Sequence, residues 1–319
     1  MKTLRLYGAG LLVALLLTLA ACLPGGISGS GLGETWTQRT STLLLRDNLA
    51  SVAYGKGLFV AVGEGGTILT SPGYSWTRRT SGTSNALYGV TYGKGLFVAV
   101  GDLGTILTSP DGVSWTQRTS GTGNALYGVT YGNGLFVAVG AKGTILTSPD
   151  GVSWTRRTSG TGNGLRGVAY GNGLFMAVGA KGTILTSPDG VTWTAQASPT
   201  SNDLNGVAYG KGLFEGLFVA VGEDGTILTS PDGVSWTQRT SPVSERTSPV
   251  SKILNGVTYG NGIFVAVGNL TTILTSRDGK FWTLRAPPLG GHLLGVTYGD
   301  FKFVAVGGFP GIGTILTSP

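Results

Sequence analysis

Tyr88, Tyr127, Arg166 and Asn205 follow one another along the chain at intervals of 39 residues, each with leucine before it and glycine after it. Asn255 holds the same place one unit later. Aromatic, guanidinium and amide groups at one recurring position suit recognition of a polar partner. Tyrosine is a rigid contact with a polar tip, and arginine is a planar fork of donors. A second position varies in the same way, after the apolar run LFVAVG (LFMAVG in one unit), where Asp102, Lys142, Lys181 and Asp224 stand. The candidate binding residues are therefore Tyr88, Tyr127, Arg166, Asn205, Asn255, Asp102, Lys142, Lys181 and Asp224.

Catalysis has poorer material. His292 is the only histidine and Cys22 the only cysteine, so the usual zinc or copper ligand sets cannot be assembled. The glycines follow hairpin spacing rather than a phosphate-binding or dinucleotide fingerprint. Asp102 and Glu64 are the nearest thing to the paired carboxylates of a glycosidase. No enzyme activity, metal or cofactor is expected.

The elements that must position these residues are written in one repeated phrase. Trp36, Trp76, Trp115, Trp154, Trp193, Trp236 and Trp282 share one place in it, spaced by 40, 39, 39, 39, 43 and 46 residues. The two longer intervals contain internal duplications, GLFEGLF and RTSPVSERTSPVS. A period of this size points to a solenoid or a propeller. Each unit holds four strand-like pieces, as in LYGVTYG, LFVAVG, TILTS and SWTQRT between Leu87 and Thr119. Lys-Gly or Asn-Gly joins the first two, and Asn-Gly is a strong hairpin signal because both residues tolerate positive φ. LFVAVG is apolar without alternation, which suits a strand covered on both faces.

Seven first strands can be read, from Leu49, Leu87, Leu126, Leu165, Leu204, Leu254 and Leu294, and seven third strands beginning at Thr67 and ending with Thr314. Ahead of the first complete unit stands a lone fourth strand, from Glu34 to Thr40, and after the last third strand none follows. The expectation is an all-β, seven-bladed β-propeller of four-stranded antiparallel blades, its ring closed by the N-terminal strand completing the C-terminal blade.

Composition agrees: 57 glycines and only 12% charged residues exclude a charged disordered chain and a helical solenoid. The net charge of +7 is spread, with most arginines just after the tryptophans. A nucleic-acid binder needs a contiguous basic face, so nucleic acid is not an expected partner. Charges on outer strands instead guard sheet edges against pairing.

Residues 1–21 read as an export signal, with Lys2 and Arg5 before an apolar run too short to span a bilayer. Leu19-Ala20-Ala21-Cys22 resembles the lipobox of bacterial lipoproteins, which implies lipidation of Cys22 and anchoring at the bacterial cell envelope, facing periplasm or exterior. Residues 22–33 would then be the lipidated cysteine and a Gly/Ser tether, and residues 34–319 one propeller domain, expected to be a monomer.

The phrase SPDG-x-x-W resembles the BNR or Asp-box repeat of β-propellers, shortened by one residue because glycine follows the aspartate directly. Its matching residues are Asp111, Asp150, Asp189, Asp232 and Asp278, with Trp115, Trp154, Trp193, Trp236 and Trp282. One acid per blade around the rim is a turn-building feature, not a catalytic one. The same repeat occurs in sialidases, but a sialidase-like site implies an arginine cluster, and Arg166 alone lies on an inner strand. The chain is more similar to the photosystem II stability/assembly factor family, seven-bladed Asp-box propellers that include lipid-anchored forms. That resemblance implies a non-catalytic, lipid-anchored propeller that binds a protein partner through its variable loop face. The alternative is adhesion to an extracellular glycan.

Overall fold

A computed structural model describes residues 33–39, 47–73, 75–211, 215–245, 252–285, 291–309 and 312–318. The expected leader, Cys22 and nearly all of the tether lie outside the described residues, as does part of the RTSPVSERTSPVS duplication. The described strands form seven antiparallel sheets of four strands, with no α-helix among the described residues. Blades 1 to 6 cover residues 49–79, 87–118, 126–157, 165–196, 204–238 and 254–285. Blade 7 takes its first three strands from His292–Gly299, Lys302–Phe309 and Ile312–Ser318, and its fourth from Thr37–Gln38.

The unbroken apolar run explains the ring. In blade 2 the second strand is Leu96–Gly101, and its alternate side chains serve two neighbours. Phe97 and Ala99 pack with Val60 and Val62 of blade 1, while Val98 and Val100 pack with Phe136 and Ala138 of blade 3. Every blade repeats this sharing, and the last interface joins Val304, Val306 and Ile315 of blade 7 to Phe59, Ala61 and Leu69 of blade 1. Each buried Val or Phe contributes roughly 1.5–3 kcal/mol relative to exposure.

Closure uses the bonds of an ordinary blade. Thr37 pairs with Thr317 and Gln38 with Leu316, and Trp36 is buried beside Phe303 and Leu316. Arg39 Nε donates to Thr317 Oγ1 at 2.7 Å, as Arg118 Nε donates to Thr108 Oγ1 at 2.9 Å in blade 2. The arginines after the tryptophans thus tie the short outer strands to the third strands.

Glycine at the end of each first strand admits a tyrosine from the next blade. A Cβ on Gly93 would lie 2.1 Å from Cγ of Tyr131, whose ring packs against Phe136 at 4.6 Å between centroids. The series ends with Gly299 receiving Tyr54, so this packing also runs around the whole ring.

The repeated SPDG turn joins third and fourth strands. Asp111 Oδ1 accepts the backbone N–H groups of Val113 and Ser114 at 2.8 and 2.9 Å and the Ser109 hydroxyl at 2.9 Å. Trp115 Nε1 donates to the Gly112 carbonyl at 3.0 Å, and Gly112 sits at φ +74°. Asp150, Asp189, Asp232 and Asp278 repeat the carboxylate bonds, and Trp154, Trp193, Trp236 and Trp282 repeat the indole bond. The Ser114 and Val113 amides hold the Asp111 carboxyl down to about 2. In Asp278 burial acts the other way, but the Phe281 and Lys280 amides prevail and its pKa is still lowered.

Blade 7 departs from the expected boundaries. Its first strand begins at His292, and Leu293, not Leu294, takes the buried place opposite Gly307. Between the apolar run and TILTS this blade carries extra residues, and they continue the hairpin, with Gly308 paired to Gly313 and Phe309 to Ile312. The extra residues lengthen the hairpin and preserve its pairing.

Two outcomes follow from this packing. Gly93→Ala should destabilise the chain by about 1–3 kcal/mol through overpacking, whereas Gly123→Ala, with nothing within 4 Å of the added carbon, should leave chemical denaturation almost unchanged. Asp111 has a folded pKa below its ordinary 3.8, so its contribution is present above about pH 4 and is lost as pH falls toward about 2. Asp111→Asn should flatten the dependence of melting temperature on pH in that window.

Candidate binding face

The variable residue of each first strand occupies a β-bulge. In blade 2 Leu87 pairs with Gly101 and Gly89 with Val100, so the register skips Tyr88. The same skip falls at Tyr127, Arg166, Asn205, Asn255 and Leu294, and at Ala50 of blade 1. A bulged residue leaves the ladder and its side chain is re-aimed. The following glycine permits close approach: a Cβ on Gly128 would stand 2.9 Å from the Arg166 carbonyl.

Six of these seven bulged residues, all but Ala50, line one cavity of about 450 Å³. Tyr88, Tyr127, Lys142, Arg166, Asn205 and Asn255 contribute to its wall together with Leu294, Ala141, Ala180 and Gly164. Asp102, Lys181 and Asp224, the other three candidates, stand outside that lining. They belong to short 3-10 turns between second and third strands, Asp102–Gly104, Ala180–Gly182 and Glu223–Gly225.

Most of the polar groups are already held by one another. Tyr88 donates to Asp102 Oδ2 at 3.0 Å, and its ring meets that of Tyr127 at 5.6 Å between centroids and 58° between planes. Burial first, and then the hydrogen bond to Asp102, push the Tyr88 phenol up to about 12. Asn205 Nδ2 donates to the Leu254 carbonyl at 2.9 Å, and Asn255 Nδ2 donates to Asn269 Oδ1 and the Leu293 carbonyl. Each amide therefore ties one inner strand to the next.

Arg166 does not present an empty fork. Its Nη1 donates to Asn205 Oδ1 at 2.6 Å, its Nη2 to Asp203 Oδ2 at 2.5 Å, and Glu223 Oε1 lies 3.7 Å away. Asp203 also accepts the Lys181 backbone N–H at 2.7 Å. Asp203 stands at neither the bulge nor the turn position, so the variation at those two places does not point to it. A signal existed, since the other units carry Asn48, Ala86, Ala125, Gly164, Ile253 and His292 before the leucine, and blade 5 alone carries an acid there.

Asp224 is 4.0 Å from the Lys252 ammonium. Glu64 accepts from Asn48, while Asp102 accepts from Tyr88, so each of these two carboxylates is engaged separately. Among the described residues no group of three or more His, Cys, Asp or Glu could hold a metal ion. The arrangement offers aromatic edges, fixed amides and a lysine around a concave mouth, which is equipment for binding.

Fold and cavity together define a seven-bladed β-propeller with a variable, concave face. No known family model and no curated protein matches the sequence. Among solved structures the chain is similar to YCF48 bound to D1 peptide, at 17% identity and a TM-score of 0.67, covering 90% of this chain and 94% of that one. YCF48 from Cyanidioschyzon merolae gives 16% identity, a TM-score of 0.67 and coverages of 89% and 98%. The computationally designed Ika8 protein also aligns, at 14% identity and a TM-score of 0.58, over 88% of this chain and 99% of that one. At these identities the likeness establishes the fold.

Because burial and the bond to Asp102 raise the Tyr88 phenol from its ordinary 10 to about 12 in the folded chain, its stabilising contribution is complete below about pH 10 and is lost as pH rises through about 12. A spectrophotometric phenolate titration should therefore lose its latest-ionising component in Tyr88→Phe.

Proposed function

We propose that the chain is a non-catalytic binding protein whose cavity takes a segment of a protein partner. The observation that carries this reading is the gathering of Tyr88, Tyr127, Lys142, Arg166 and the two inner-strand asparagines into one mouth, with Arg166 braced by Asp203. Side chains already fixed before binding reduce the ordering cost of association. The fold likeness to YCF48 bound to D1 peptide supports a peptide-like occupant and leaves its identity open. A scaffold or assembly role at the cell envelope, with Cys22 as lipid anchor, is part of the same proposal. The lipobox-like Leu19-Ala20-Ala21-Cys22 supports it.

Tyr127 is the cleanest probe, since its ring lines the cavity while its neighbour Tyr88 carries the bond to Asp102. Tyr127→Ala should lower partner recovery from native membranes by about tenfold or more, as truncation of an aromatic hot spot costs about 2 kcal/mol. Its melting temperature should stay close to that of the parent. Equal recovery by both proteins would refute the site, and release of the captured material by soluble sugar would favour a glycan. In the same cells Cys22→Ser should move the protein out of the membrane fraction.

A further inference from the structure

A second concavity, about 600 Å³ in volume, opens on the outer part of blade 3. Its walls include Lys142, Arg156, Ser159 and Thr161. Lys142 also lines the central cavity, so one exposed side chain forms the divide between the two spaces.

The repeat supplies an internal comparison. In blade 1 the equivalent arginine, Arg78, donates to Asp47 Oδ2 at 3.0 Å, and the Thr67 hydroxyl donates to the same oxygen at 2.8 Å. In blade 3 Asn124 stands where blade 1 has Asp47, and it donates instead to Thr144 Oγ1 at 2.9 Å. Arg156 has thereby lost the carboxylate that neutralises its counterpart. Lys142 stands where blade 1 has Gly65, so a second cation has been added beside the first. The other blades carry Gln117, Ala195, Gln238, Leu284 and Gln38 at the arginine position. The ion pairs among the described residues include Arg78, Arg166 and Lys252 but none of Lys142, Arg156 or Lys181.

We infer that the partner segment is an acidic linear peptide that leaves the central cavity over Lys142 and lays a carboxylate in the blade 3 groove against Lys142 and Arg156. This rests on the peptide-binding reading above and adds the charge and the direction of the occupant. Two cations without a carboxylate partner among the described residues gain a counter-ion on binding, and arginine can grip a carboxylate with two parallel donors. The neighbouring Lys181 extends the positive field toward blade 4, which steers an acidic chain to this side of the ring. Ser159 Oγ already donates to the Thr161 carbonyl at 3.1 Å, so the loop forming the groove floor is set before any ligand arrives.

The test is an array of short peptides in which every acidic member is paired with its Gln/Asn twin, probed with the whole chain. Lys142→Gln with Arg156→Gln is the variant, and both side chains are exposed, so its melting temperature should match the parent. Acidic members should be retained over their twins, the double variant should bind them about tenfold more weakly, and its affinity should depend less on salt. If the double variant binds acidic peptides as the parent does while Tyr127→Ala does not, the acidic-groove inference is overturned and the peptide-binding reading stands. If the parent prefers the Gln/Asn twins, the charge assignment is wrong. If it retains no peptide but retains polygalacturonate or single-stranded DNA, both readings fall.

Discussion

The structure depends on one constraint: the second strand of every blade is apolar on both faces, so no blade can exist without two neighbours. An open array would leave one such face exposed at each end. Closing the ring removes both ends at once, and Val304 and Val306 meeting Phe59 and Ala61 are the physical form of that closure. The small fourth strand of blade 7 is sufficient because it brings Trp36 with it, and the indole fills the same interblade place as its six counterparts. Sheet pairing there spans only Thr37 and Gln38. The latch is therefore made more by side-chain burial and the Arg39 bonds than by the ladder.

This constraint also sorts the residues into those that cannot vary and those that can. Gly93 is fixed by the ring of Tyr131 and Gly112 by its positive φ and the close approach of Leu58. Asp111 is fixed by the amides it holds. The bulged residue of the first strand escapes all of these demands, because it is skipped by the ladder and turned out of the interblade core. A wheel repeated almost verbatim thus offers seven side chains whose backbone positions are set by their neighbours while their chemistry is left open. Nature of the side chain and place of the side chain are decided separately.

The wheel was readable from the sequence because its causes are local and repeated: the hairpin glycines, the apolar run, the Trp interval and the lone fourth strand each point to the same architecture. Boundaries in blade 7 were not, since HLLGVTYG contains two leucines and only pairing with Gly307 shows which one is buried. The face was readable as a set of positions, and six of the nine named residues line one cavity. What each side chain does there was less accessible. Arg166 looked like a free donor because its acceptors lie 37 and 57 residues further on, at Asp203 and Glu223. Such a pairing follows from blade-to-blade geometry, and no periodicity within a single unit carries it.

The same geometry explains why charge differs so sharply around a nearly uniform ring. At the centre of the 3-10 turns Gly65, Leu103, Lys142, Lys181 and Asp224 all sit at φ between +53° and +58°. Only glycine is at ease there, and other residues accept a cost on the order of 1 kcal/mol. Four of these five turns bear that cost, so the left-handed backbone is imposed by the flanking strands rather than chosen by the residue. The Cα–Cβ bond then leaves the backbone in the same way in all five turns, whatever the side chain. Substituting glycine by lysine at such a place changes the field at the mouth without moving the turn. A repeat of this kind can acquire a charged edge one residue at a time, and the pair formed by Lys142 and Arg156 arises where two such changes meet in one blade.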